Sequence, residues 1–529
     1  MVRKQTFFLS AVSGILLSLP WVFPGQSWSL FVAFVPLMFA EYWLTRKKDE
    51  QLRVFFFFAF ITFLIWNIIS TWWIAHVSLV GMLLIVVLNA LLMTVVWTSR
   101  EFVRRRLGDA SSWLALLSFW LAFEFLHHRW AIPWPWLTLG NGFANSVKMI
   151  QWYEFTGVLG GSLWILLTNL LIFSLLKSIF EKSFRQAVKL SGYTLCIIVA
   201  PLVWSIDLYS DYAETGAGQE VVILQPNIDP YTEKFSGMNA EEQVGKLVLL
   251  ARSKVGDSTD LILAPETALP PIWEDSLMMQ NKSLLLLSEI IQSYPNVRFV
   301  AGAITQRKFG AGEVISETAR KSADGSFYDV FNSALLIDQT SDIQVSHKSI
   351  LVNGVERMPF QKYFAFLGEF VLHLGGTSGS LAAAAEPVLF QGEGVVKIGT
   401  VICFESAFGE YSGKLVMKGA NLLVVLTNDG WWRHSAGAWQ HFGYSRLRAV
   451  ETRRSIARCA NTGISGFINQ RGDVPDKSET NTCEALSASV HLNDKITFYA
   501  TYGDFLGEIS AFLSILIVLY WLGRRWNKW

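Results

Sequence analysis

The sequence predicts a polytopic α-helical membrane bundle of about eight spans, with one α/β domain inserted between the seventh and the eighth. Three observations lead there. Hydrophobic residues make up 52% of the 529 and charged residues only 16%, with a mean hydropathy of +0.34; soluble chains carry about 25% charge. The apolar residues are concentrated, since no Asp, Glu, Lys or Arg occurs from Gln5 to Ala40 or from Val54 to Ser99. The stretch from about Glu220 to Tyr502 instead has the composition of an ordinary globular domain. A net charge of +1 gives no basic bias, and hence no nucleic-acid partner. Four cysteines in this length cannot form a disulfide framework.

A span needs about 20 apolar residues, so both long charge-free stretches are hairpins of two spans. Pro20, Pro24 and Gly25 mark the first turn, and His76 to Ser78 the second. Single spans follow at Ser112–Leu126, Phe155–Leu176, Leu190–Ile206 and Phe505–Gly523, the seventh being short. The domain boundaries expected are 1–210 for the seven-span bundle, 218–500 for the α/β domain and 504–523 for the last helix.

The loops give the orientation. Arg46, Lys47, Lys48 and Arg53 follow span two; Arg100, Arg104, Arg105 and Arg106 follow span four. Lys177, Lys182, Arg185 and Lys189 follow span six, and Arg524, Arg525 and Lys528 follow span eight. Arg3 and Lys4 precede span one. The positive-inside rule then puts both termini in the cytoplasm and the inserted domain outside. The basic start followed by an apolar run also fits a signal peptide. Without an A-x-A-like site, and with a second span following at once, an uncleaved helix is expected. Glu124 is costly inside a membrane and needs a polar cavity or a partner, with Arg129 or His128 within one turn. Pro133-Trp134-Pro135-Trp136 then breaks that helix and supplies interface aromatics.

In the inserted domain, strands are expected at Val221–Leu224, Leu261–Leu263, Arg298–Ala301, Ser333–Ile337, Val395–Ile402 and Leu422–Leu426. Helices are expected at Ala240–Lys254, Met278–Ser293 and Gln440–Arg454. Their alternation implies an α/β domain with buried strands. Arg307–Ser326 reads as an exposed insertion, and Pro359–Pro387 as a lid or a long surface loop. There is no repeat, P-loop, G-x-G-x-x-G or His/Cys cluster at metal spacing, so neither a metal nor a cofactor is expected.

Three strand ends carry reactive residues: Glu266 after Leu261-Ile262-Leu263-Ala264-Pro265, Lys348 after Val345-Ser346-His347, and Cys403 after Val401-Ile402. Each alone has an ordinary reading. A strand-terminal Glu is usually a cap, a Cys among apolar residues is usually buried core, and lone lysines are solvated.

Taken together, Ala264-Pro265-Glu266-Thr267-Ala268, the run from Lys348 through Glu356 to Phe360, and Cys403-Phe404-Glu405 resemble the glutamate, lysine and cysteine motifs of the nitrilase superfamily. Thr427-Asn428-Asp429-Gly430-Trp431-Trp432, followed by Gln440-His441, resembles its downstream block. Seven spans before and one after resemble the membrane-bound acyltransferase branch of that superfamily, as does the segment from Glu124 to Pro135-Trp136. Where that family commonly has Pro-Phe-Gly, this chain has Asn353-Gly354-Val355, and Phe235 lies where a Trp is usual.

The resemblance implies a nitrilase-like αββα sandwich and a thioester on Cys403, since a thioester is reactive towards amines yet persists through partner exchange. Glu266 is the implied base, its pKa expected to be raised in an apolar cleft. Lys348 is the implied oxyanion stabiliser, with the Phe404 N–H. Glu356 is expected to orient Lys348 or act as a second acid–base group, and Glu405 to position the site or form a salt bridge. Arg446, Arg448 and Glu451 are expected to form a structural ion-pair network. Cys196 is expected to pack within span seven, and Cys459 and Cys483, both outside, are free to pair or not. The implied partners are a phospholipid donor and a diacylglyceryl apolipoprotein acceptor, in a monomer of the bacterial inner membrane. Two other readings stand beside it: a membrane-tethered amidase with the same three residues, and a domain that only binds partners.

Overall fold

The computed structural model describes residues 2–46, 51–234, 237–275, 278–340, 342–358, 380–391 and 396–526. The chain divides into two compact units: Met1–Tyr212 with Tyr502–Trp529, and Ala213–Thr501. In the first unit, eight helical stretches among the described residues are long and apolar enough to cross a membrane. They are Arg3–Val22, Ser27–Arg46, Leu52–His76, Leu79–Leu107, Asp109–His127, Tyr153–Phe180, Phe184–Asp211 and Phe505–Gly523. The seventh is not short. It runs for 28 residues, because helix continues on both sides of the apolar stretch and tolerates Pro201 in its interior.

The interior of this unit is held by polar pairs as well as aromatic packing. Asn89 donates to Asn67 at 2.8 Å, and Trp97 donates to Glu41 at 2.7 Å, beside a Glu41–Arg100 ion pair. Glu124 is satisfied differently from expectation. Its Oε1 accepts from the Trp120 indole at 3.0 Å and the Leu139 amide at 2.9 Å. Arg129 instead pairs with Asp504 at 2.9 Å, and His128 meets Thr138 at 2.8 Å. The non-α-helical stretch after His127, which contains Pro133 and Pro135, makes this possible, because it turns the chain so that the Leu139 amide reaches the carboxylate. Cys196 does not pack inside; it is exposed on the outer side of its helix.

The second unit contains thirteen strands among its described residues: β1 Gly218–Gln225, β2 Leu261–Trp273, β3 Arg298–Lys308, β4 Arg320–Lys321, β5 Phe327–Ile337, β6 Gln344–His347, β7 Leu389–Gln391, β8 Lys397–Ile402, β9 Leu422–Thr427, β10 Ile456–Ala460, β11 Gly466–Ile468, β12 Asp476–Lys477 and β13 Glu484–His491. One sheet has the order β13-β1-β2-β3-β5-β4, with β6 also on β5; the other has the order β12-β11-β10-β9-β8-β7. The central pairs β1–β2, β2–β3, β8–β9 and β9–β10 are parallel. Central parallel strands are buried on both faces.

Alternation along β1 shows how the layers form. Val221 and Ile223 join Ile398, Leu422, Val424 and Ala457 between the two sheets, whereas Val222 and Leu224 join Val244, Leu247, Leu287 and Ile290 of the helices Ala240–Arg252 and Lys282–Ser293. On the far face of the second sheet, Leu415 of the helix Gly409–Met417 and Leu423 of β9 close over Gly399. The result is an αββα sandwich. Helix Ala240–Arg252 starts with a capping box made by Asn239 and Glu242, which fixes its entry beside the sheet. Arg307–Ser326 is largely loop, though β3 extends into it as far as Lys308 and β4 lies within it. The Pro359–Pro387 stretch lies outside the described residues up to 379, as do Phe235 and Val395.

Candidate active site

The two sheets bring Glu266, Lys348 and Cys403 into one cluster. Glu266 sits at a bulge, where the pairing of β2 with β3 slips between Ala264 and Leu269. The bulge requires a glycine opposite. A Cβ on Gly302 would stand 2.4 Å from the Pro265 carbonyl and 2.6 Å from the Glu266 Cα. Thr267, the next residue, has φ of 50°. Lys348 follows β6, and its amide donates to the Asn332 carbonyl at 2.8 Å. Cys403 leaves β8 with φ of 52° and opens the short turn Cys403–Ala407. A left-handed non-glycine residue is strained, and such strand-to-turn corners present a nucleophile clear of the sheet.

Lys348 Nζ lies 3.1 Å from Glu266 and 2.9 Å from Glu356. Asn332 bridges the same carboxylates, donating to each at 2.8 Å. The second oxygen of Glu266 accepts from the Asn428 amide at 3.0 Å, and that of Glu356 from the Val352 amide at 2.8 Å. Lys348 is 1% exposed and Glu266 7%. Burial acts against the ammonium, yet Glu266 and Glu356 hold the Lys348 pKa well above its ordinary value.

The expected upward shift of Glu266 is reversed. Burial does push it up, but Lys348 and Asn332 outweigh burial and hold its pKa below the usual carboxylate value. Burial and the Glu266 charge push the Cys403 thiol up, more than Lys348 pulls it down. At neutral pH the cluster therefore holds a thiol beside a carboxylate and an ammonium. This set can take a proton from sulfur as sulfur attacks, and it can face a developing oxyanion with a fixed positive charge.

Glu405 is fully buried and clasps backbone rather than a basic side chain. It accepts from the amides of Ser349 at 2.6 Å, Ile350 at 3.1 Å and Ile402 at 2.8 Å. It thus ties the lysine loop to the strand that ends at Cys403. Burial raises its pKa to about 7 against those three amides. Arg448 and Glu451 pair at 2.8 Å, and Arg446 donates to the Gly472 carbonyl at 2.8 Å. Cys459 is buried, its thiol 3.2 Å from the Leu224 carbonyl, and Cys483 is exposed, so the two are not paired.

Sequence reasoning missed Asn332 and the Asn428 amide. Asn332 had a signal: an Asn between Phe331 and Ser333 inside an apolar strand needs a polar partner. The Asn428 contact is made by backbone, which carries no side-chain signal.

The region 221–498 matches the carbon–nitrogen hydrolase family, and 13–171 matches the apolipoprotein N-acyltransferase N-terminal domain. The chain belongs to the carbon–nitrogen hydrolase family. Three curated relatives, all named apolipoprotein N-acyltransferase, match it almost end to end. The protein of Chlorobaculum tepidum is 29% identical over 98% of this chain and 96% of its own length. That of Geobacter metallireducens is 29% identical over 95% and 92%, and that of Thermotoga maritima 26% identical over 97% and 93%. With both halves matched, the chain falls in the apolipoprotein N-acyltransferase branch, and it is a multi-pass membrane protein.

Proposed function

We propose that the chain transfers an acyl chain from a phospholipid to the N-terminal amine of a diacylglyceryl-cysteine lipoprotein, through a thioester on Cys403. The observation that carries this reading is the Glu266–Lys348–Cys403 cluster, with its thiol on a strained corner, in a chain matched along both halves by acyltransferases.

In the first half-reaction the Cys403 sulfur attacks the ester carbonyl and Glu266 takes the thiol proton. The Lys348 ammonium and the Phe404 N–H hold the oxyanion. Collapse breaks the ester C–O bond, and the proton on Glu266 passes to the departing lysophospholipid alkoxide. In the second half the lipoprotein amine attacks the thioester and gives its proton to Glu266. The thiolate then leaves and recovers that proton as the amide forms. Glu356 orients Lys348, and Glu405 acts as a positioning residue. The reaction is placed on the periplasmic side of the bacterial inner membrane, because basic loops alternate with near-neutral ones.

Incubated with phospholipid alone, the protein is expected to accumulate acyl-Cys403 with one equivalent of lysophospholipid and then stop. Mass spectrometry reads the adduct. A diacylglyceryl peptide with a free amine discharges it, and the N-acetylated peptide does not. Cys403→Ala abolishes the adduct, while Glu266→Gln and Lys348→Ala slow its formation by orders of magnitude. Continuous release of free fatty acid without peptide, as fast as with it, would favour the hydrolase chemistry named for the family.

A further inference from the structure

Directly beneath Cys403 lies a second polar chain that the mechanism above leaves unused. The Ser406 hydroxyl donates to the Cys403 carbonyl at 2.8 Å. His441 Nε2 is 2.7 Å from that hydroxyl and 3.0 Å from the same carbonyl. On its other side, His441 Nδ1 accepts from Arg458 at 2.9 Å and lies 2.9 Å from Asp429 Oδ1, which leaves the Nε2–H to donate towards the carbonyl and the Ser406 oxygen. Asp429 accepts from Thr427 at 2.8 Å and from Arg458 at 2.9 Å, and Arg458 donates in turn to Ser445 at 3.1 Å. Ser406, His441 and Arg458 are each 0% exposed, and Asp429 1%.

The order Ser–His–Asp looks like a hydrolytic triad, but its burial excludes that use. No substrate reaches Ser406, and its hydroxyl is directed at a backbone oxygen. Burying an ionised Asp, an Arg and a His is costly unless every polar atom is matched. Here that whole assembly converges on a single carbonyl. The carbonyl belongs to the planar trans peptide that joins Cys403 to Phe404, so its C=O and the Phe404 N–H point in opposite directions. Whatever fixes the Cys403 oxygen fixes the Phe404 N–H. Cys403 is also left-handed, at φ of 52°, a conformation that persists only where the surroundings over-determine it.

We propose that Asp429, His441 and Ser406 are positioning residues that clamp the Cys403 carbonyl, and so aim the Phe404 N–H at the oxyanion formed on the acyl carbon bound to Cys403. This deepens the acyl-transfer reading and rests on it. The clamp acts where charge develops, so it contributes to the transition state and not to ground-state binding. Losing one well-aimed oxyanion donor costs about 10²–10³ in rate.

The test uses the full-length protein in detergent micelles and two probes of Cys403 that differ in geometry. Hexadecanal forms a hemithioacetal, whose oxygen occupies the oxyanion position. Iodoacetamide alkylates sulfur by direct displacement and makes no oxyanion. Ser406→Ala and His441→Leu are expected to slow acylation by diacylphospholipid about 100-fold without raising KM, and to weaken hexadecanal binding by a similar factor. Alkylation by iodoacetamide should stay within about twofold of the parent, since Glu405 still ties Ile402, at the end of β8, to the Ser349 and Ile350 amides and keeps the sulfur in place. His441→Gln should recover much of the loss, because its amide can donate to the same carbonyl. If His441→Leu does not fold, Ser406→Ala carries the test, as it removes one oxygen only.

The proposal is overturned if acylation and alkylation fall together, which would mean the cluster merely holds the thiol or the fold. It is equally overturned if hexadecanal binding is unchanged in folded Ser406→Ala. Should the parent protein accept no phospholipid at all, the acyl-transfer reading fails. The hexadecanal and iodoacetamide comparison still decides the clamp.

Discussion

Glu266 and Cys403 divide one proton in a way that sets the pH response of the reaction. Lys348 and Asn332 keep Glu266 ionised below the usual carboxylate range, and burial together with Glu266 keeps Cys403 protonated above the usual thiol range. The reactive form needs Glu266 charged, so activity is lost only as pH falls through its depressed pKa. On the alkaline side the thiol proton is retained past the ordinary thiol value. The rate of Cys403 acylation is therefore expected to be flat from about pH 5 to about pH 8, between ordinary values near 4.3 and 8.5. A bell centred near pH 7, as a raised Glu266 would give, would contradict this arrangement. Glu356→Gln removes one of the two carboxylates that hold Lys348, and with it part of the opposition to Glu266. It is expected to leave Lys348 more tightly on Glu266 and to slow acylation about tenfold or more, as losing a positioned charge partner does. The three reactive residues were legible in the sequence only together, through flanking motifs that jointly resemble those of the nitrilase superfamily, since each alone has an ordinary reading. The direction of the Glu266 shift was not, because it depends on Asn332 and Lys348 arriving from other strands.

Elements show the same division between local and assembled information. Strands β1, β2, β3, β5, β8 and β9 announce themselves as β-branched apolar runs, since their central positions are buried on both faces. Strand β10 does not, because Ile456-Ala457-Arg458-Cys459-Ala460 carries an Arg that is fully buried against Asp429. Only a tertiary partner makes that sequence a core strand. Likewise β6 reads as polar, Gln344-Val345-Ser346-His347, yet it pairs with β5 and delivers Lys348. The bulge in β2 is an element-scale device that depends on Gly302 of β3. Gly302→Ala places a methyl against the Pro265 carbonyl and the Glu266 backbone, neither of which can move without shifting the carboxylate. Overpacking of this kind costs about 1–3 kcal/mol. Thermal unfolding should show a fall of a few degrees. Acylation should fall by a larger factor than KM changes, because the displaced group acts in the transition state. A variant with the parent Tm and full activity would mean that the bulge tolerates a side chain.

At the scale of the whole molecule, hydropathy made the membrane unit legible, and the proposed side of the inserted domain rests on parity. Eight crossings return the chain to the side on which it started, and a domain placed after seven lies on the opposite side. The span that was hardest to read, Phe184–Asp211, decides the matter. It is mostly exposed, carries Pro201, and bears charges at both ends, so its apolar centre alone looked marginal. The helix nevertheless has 28 residues, which at 1.5 Å per residue is about 42 Å and exceeds the roughly 30 Å hydrocarbon core. It therefore has length to cross even when tilted. Were it to lie along the surface instead, the inserted domain would share the compartment of the N-terminus and of the basic loops around Arg104 and Lys182. A reporter inserted at Gly312, in the exposed loop between β3 and β4, and another fused after Trp529 are expected to give opposite compartment signals. Alkaline phosphatase should be active at the first, and a cytoplasm-dependent fluorophore at the second. Replacing Leu195 and Val199 with Arg in the apolar centre of the seventh helix should abolish the difference, since each Arg costs about 2.5–3.5 kcal/mol on insertion. Equal signals in the parent protein would remove the seventh crossing, and with it the periplasmic placement of Cys403.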